Sequence, residues 1–235
     1  CHPLLSQRSL HNMSSIKLKH SGGNSVSIAA PSSNPASDRT ITVPSTADGT
    51  MLTSTSGSSI RVLEQFITPA DGSSFTTSNG TVTVENPSDW QALSTTLTDV
   101  QGSSITYTPP TGTTQVIYEF QYCIASDTDS NAILGGRLLI DGTEVTHSRF
   151  GQRGGTNYFD QLNTFKWGIN IGGSADTGVG RLASWTSNKT IKLQMMEYSS
   201  GYEFAINLLR NYGSSGAINV FRRPVVGITA IGVPS

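Results

Sequence analysis

Apolar and polar residues alternate along this chain with a period of two, the spacing that puts one face of a strand on a core. Ile16-Lys17-Leu18-Lys19 and Val26-Ser27-Ile28-Ala29 alternate on either side of Ser21-Gly22-Gly23-Asn24, which predicts a hairpin. A further short strand, Thr40-Ile41-Thr42-Val43, stops at Pro44. Beyond a Ser/Thr/Gly linker over 54–59, strands are expected over 60–67, 81–85, 105–108, 115–125, 136–140, 143–148, 164–171, 190–197, 203–209 and 224–233. Asp141-Gly142 is the clearest hairpin turn. A helical period occurs once, over 89–97, where Trp90, Leu93 and Leu97 share a face.

Two strands say more than the rest. Over 115–125, Val116, Tyr118, Phe120, Tyr122 and Ile124 share one face, while Glu119, Gln121 and Cys123 share the other. One face is therefore expected in a core. Over 225–233 both faces are apolar or small, as for a strand in mid-sheet or against a neighbouring subunit. The pattern predicts an all-β chain: a small N-terminal β-hairpin module over 13–59, then a β-sandwich of about 175 residues over 60–235. The module holds too few apolar side chains for a core of its own. Residues 1–12 share little with the rest of the chain, and Met13 reads as a natural start, so the mature chain is expected to begin near Met13.

Over 13–56 the elements Ile16 to His20, Ser21-Gly22-Gly23-Asn24, Ala29-Ala30-Pro31, Asn34-Pro35, Asp38-Arg39-Thr40 and Pro44 to Leu52 resemble the N-terminal module of tail-fibre and related virion proteins of marine tailed bacteriophages, cyanophages in particular. Val62-Leu63-Glu64-Gln65, Ile105 to Pro110 and Val116 to Tyr122 more loosely resemble the C-terminal domain joined to that module in such fibres. The resemblance implies a homotrimeric, virion-located fibre or spike with a jelly-roll-like head. It also implies attachment to the phage particle through the module, for which Ile16, Leu18, Val26, Ile28, Ile41 and Val43 are the candidates, and contact with the host surface through the head. Unlike a long fibre, the chain has no shaft of repeats. A short tail fibre mediating adhesion is the leading expectation; a capsid fibre or decoration protein is the alternative, and a surface-polysaccharide depolymerase the third.

Composition narrows the chemistry. The 235 residues hold 33 Ser and 28 Thr, only 13% are charged, and the net charge is −1. Such a chain lacks the basic face of a nucleic-acid binder, and no apolar run approaches the ~18 residues of a membrane-spanning helix. Cys1 and Cys123 form no disulfide framework, and Cys123 reads as a small buried hydrophobe. No cofactor is expected, and the four histidines have no zinc spacing. Asp127, Asp129 and Asn131 alternate like calcium ligands, but Ala132 and Leu138 stand where an EF-hand needs Gly and Glu, leaving only a weak metal candidate. Asp176-Thr177-Gly178 matches the aspartic-protease tripeptide but sits among small residues, as a loop would. Glu197 and Glu203 are expected on an exposed hairpin rim, not as a catalytic pair.

The chain is therefore expected to bind rather than catalyse. Rigid Tyr and Arg among Gly, Ser and Asn is the make-up of adaptable contact loops. Phe150, Arg153, Asn157, Tyr158, Tyr198, Tyr202, Arg210 and Tyr212 are the candidates for contact with a host glycan or protein. Core padding is the competing reading for the aromatics, and pairing across subunits for Arg149, Arg153, Arg222 and Arg223. Trp167 and Trp185 are expected in the core.

Overall fold

The computed structural model describes residues 15–19, 21–23, 25–29, 60–126, 133–153, 159–200, 204–210 and 219–233. The chain divides into two compact units, Cys1–Met51 and Leu52–Ser235. In the first, β1 (Ser15–Lys19) and β2 (Ser25–Ala29) form the expected antiparallel hairpin, with Ile16 opposite Ile28 and Leu18 opposite Val26. Ile41 and Val43 lie outside the described residues, as do residues 1–12 and the linker over 54–59.

The second unit holds two main antiparallel sheets. Its strands are β3 (Arg61–Pro69), β4 (Ser74–Thr77), β5 (Gly80–Thr83), β6 (Gln91–Ala92), β7 (Thr98–Asp99), β8 (Ile105–Tyr107), β9 (Thr113–Ser126), β10 (Ile133–Ile140), β11 (Thr143–Arg153), β12 (Phe159–Asn170), β13 (Lys189–Glu197), β14 (Phe204–Ile206), β15 (Leu208–Leu209), β16 (Val220–Phe221) and β17 (Val225–Gly232). One sheet centres on β9. Strand β12 runs along one edge of it, while β17 and β14 succeed one another along the other edge, β3 flanking β17 and β6 flanking β14. In the other sheet β10 lies between β11 and β13, and β7 and β8 share the far edge of β13. Small hairpins β4–β5 and β15–β16 complete the unit.

The inner faces of the two sheets make one core. From β9 come the five alternating residues Val116, Tyr118, Phe120, Tyr122 and Ile124, all buried; β13 adds Ile191, Leu193 and Met195, and β17 adds Val226, Ile228 and Ala230. The mid-sheet reading of 225–233 is correct, because β17 is paired on both edges. Trp185 is buried and Trp167 packs against the core. Two buried tyrosines have partners for their hydroxyls, as burial favours: Tyr118 donates to the Ser103 carbonyl at 2.7 Å and Tyr107 to the Glu64 carboxylate at 2.7 Å. At the end of β9, Cys123 and Ala125 are buried on the outer face as well. Ala125 pairs with Ala205 across the β9–β14 ladder, and Leu208 packs over them.

The helix expected over 89–97 is absent. The Asp89 carboxylate accepts the Trp90 N–H, Ser94 and Thr96 bond to one another locally, and Ala92 pairs with Ala205 while the Leu93 N–H donates to the Phe204 carbonyl. Short polar side chains that bond their own backbone compete with helix, and here sheet pairing supplies the rest. Asp141 and Gly142 form the expected tight turn with φ of 50° and 75°, the positive pair that a two-residue hairpin favours.

Candidate functional site

The register of the strands sorts the candidate residues by end. At one end, Arg61, where β3 begins, lies opposite Gly232, which in turn lies opposite Thr113. We call this the near end, since the chain enters the sandwich there. Strand β9 runs from it to Ser126, which lies between Phe159 and Phe204. On the other sheet Ile133 faces Arg153 and Leu134 faces Glu197. Cross-links tie the two sets of strand ends together. The Gln152 amide donates to Gln161, and the Phe204 N–H to the Glu197 carboxylate at 3.4 Å, while the Tyr198 N–H continues the β10–β13 pairing to the Ile133 carbonyl at 2.9 Å. The strand ends flanking 127–132, 154–158 and 201–203 therefore gather at a single far end.

Of the eight candidate contact residues, four are described. Arg153 is exposed at the end of β11, and Tyr198, 67% exposed, comes directly after β13. Arg210 is half-buried, and its backbone N–H donates to both Asp160 carboxylate oxygens at 3.0 and 3.1 Å. Phe150 turns inward: its ring lies over Gly136 and 5.4 Å from the Phe165 ring, so it fills the seam between β11 and β12 and pads the core. Asn157, Tyr158, Tyr202 and Tyr212 lie outside the described residues, as do Asp127, Asp129, Asn131 and Glu203.

Several neighbouring groups have structural work that the sequence did not announce. Glu197 is buried, not on an exposed rim, because it receives the Phe204 N–H where β13 and β14 meet. Arg149 and Arg137 both bind Glu144 on the outer face of the β10–β11 ladder, and the Arg149 guanidinium above all holds that carboxyl below the usual range. Arg222 donates to Gln121, and Arg223 to the Ala70 carbonyl and Asn86. These arginines thus find partners within the chain. Asp176 accepts the Gly178 N–H at 2.9 Å and closes its own turn, which accounts for the Asp-Thr-Gly sequence. Among the described residues no three His, Cys, Asp or Glu side chains converge to hold a metal.

No family model matches the chain, and no curated protein matches it. Chains from solved virus structures share a weak likeness. One, from infectious bursal disease virus Gx strain, is 15% identical with a TM-score of 0.31, over 90% of this chain and 43% of its own length. Another, from the Gt strain of that virus, is 14% identical with a TM-score of 0.26, over 91% of this chain and 48% of its own. A chain of mud crab dicistrovirus is 10% identical with a TM-score of 0.23, over 99% and 96%. This chain thus spans less than half the length of the two bursal-disease-virus chains.

Proposed function

We propose that this chain is a non-enzymatic bacteriophage virion protein, a short tail fibre or spike that acts as a homotrimer and adheres to the host surface. The N-terminal module attaches to the particle, and the sandwich presents its far end to a glycan or protein on the cell. The reading rests on the resemblance over 13–56. The observation that carries it further is the polarity of the sandwich: the chain enters at the near end, while the exposed Arg153 and Tyr198 stand at the far end. A receptor-binding head is mounted by one end and works with the other.

The test uses the full chain against intact cyanobacterial host cells. An adhesin binds the cells and blocks infection by competition. Replacing Arg153→Glu together with Tyr198→Ala weakens binding by about tenfold or more, since rigid aromatic and Arg side chains dominate contact energies. Saturable binding to emptied phage heads at high copy number, with no binding to cells, would overturn adhesion in favour of a decoration protein. Release of reducing ends from envelope polysaccharide would overturn the non-enzymatic reading.

A further inference from the structure

At the near end, Asn79 after β4, the turn from Thr108 to Thr113, Ile171 and the segment from Ala183 to Thr186 surround a cleft of about 300 Å³. Its apolar wall is made by Pro110, Ile171 and the buried Trp185. The indole is fixed from behind, its N–H donating to the Tyr107 carbonyl at 3.1 Å and its ring set edge-to-face on Tyr107. Around this wall stand hydroxyls. Thr111, Ser184 and Thr186 are exposed, and no bond among the described residues takes up their side chains. The Asn79 amide nitrogen is committed to the Pro109 carbonyl at 2.6 Å, which leaves its oxygen as an acceptor. None of the lining residues is ionisable.

We infer that this cleft binds a neutral saccharide, seating one pyranose ring. Ligand sites pair a largely apolar surface with a few placed polar groups, and a sugar ring has the matching character: C–H faces for the proline, isoleucine and indole wall, and hydroxyls for the rim. A purely apolar guest would strand the rim hydroxyls without water, and a charged one would find no counter-ion, each at a cost. The cleft is preformed, because the Trp185 bond and the Thr113 hydroxyl bond to the Pro110 carbonyl at 2.7 Å hold both of its sides. The inference goes beyond adhesion at the far end and does not depend on it, for the cleft is at the opposite end of the sandwich.

Saturation-transfer NMR on the full chain with D-glucose, D-galactose, D-mannose and N-acetyl-D-glucosamine, each against D-glucuronate as the charged control, tests it. At least one neutral sugar is expected to receive saturation, with a Kd on the order of millimolar, as a single ring in a shallow site supports. D-glucuronate is expected to bind at least tenfold more weakly. Ser184→Tyr, on an exposed position, fills the cleft and abolishes the signal while the thermal midpoint stays unchanged. Thr186→Ala removes one rim hydroxyl and weakens binding several-fold. No transfer to any of the four neutral sugars, or transfer that Ser184→Tyr leaves intact, overturns the assignment. Cell binding by the Ser184→Tyr variant then reports on the far end alone.

Discussion

The Cys123 thiol shows how completely the outer face of β9 is covered near the far end. Burial, reinforced by the nearby Asp160 carboxylate, pushes its pKa up to about 11. A thiolate is the reactive form, so at neutral pH Cys123 is both shielded and protonated. In a Cys1→Ser variant, which leaves Cys123 as the only cysteine, a disulfide reagent is expected to label the native protein at pH 7.5 more than tenfold more slowly than the protein in guanidinium. Equal rates would mean that the buried surroundings of Cys123 open readily. Sequence alternation placed Cys123 opposite the core residues, yet it could not show this burial, because the β14 strand beside it pairs with residues about eighty positions away in the chain, as Ala205 does with Ala125.

The seam between β11 and β12 depends on one missing methyl group. A Cβ on Gly136 would stand 2.3 Å from Cζ of Phe150, in the space the ring occupies on its way to Phe165. Gly136→Ala is therefore expected to destabilise the sandwich by about 1–3 kcal/mol, the usual cost of overpacking, read as a lower midpoint in urea. Combining it with Phe150→Leu should cost less than the two changes added together, because the shorter side chain frees the space that the new methyl needs. Strict additivity would show that ring and glycine do not meet. Contacts of this kind are not legible in a sequence, whereas β9, β13 and β17 are, because their alternation comes directly from facing a core. The Asp141-Gly142 turn was equally legible, since its chemistry is local. Strands such as β4, β6 and β7 were not, being short, polar and defined only by their partners. The 89–97 segment misled because Trp90, Leu93 and Leu97 mimic helical spacing, while Leu93 is buried through its pairing to the β14 strand. The same limit applied to function. Arg153 and Tyr198 could be proposed from composition, but the near-end cleft draws its lining from four separate stretches of chain and left no sequence signal.

Taken as a molecule, the chain joins a sandwich with a core between its sheets to a unit described as a two-stranded hairpin. The sandwich has a single large core between its sheets. In the N-terminal unit, β1 and β2 pair only with each other among the described residues, five residues against five. An isolated two-stranded hairpin of that length is marginal in water; a third strand or a covered face is needed to hold it. Association of several copies supplies such cover, and closed cyclic symmetry is the common way for identical chains to do so. The fibre reading sets the number at three. Light scattering on purified residues 13–235 is therefore expected to give three times the chain mass, unchanged on tenfold dilution, while residues 60–235 alone give a smaller assembly or a monomer with the same strand-rich circular dichroism. A monomer for 13–235 would remove the trimer and leave the hairpin to be completed on the particle, the behaviour of a decoration protein. A trimer for 60–235 that is as stable as the longer chain would place the assembly contacts in the sandwich and release the hairpin from that role.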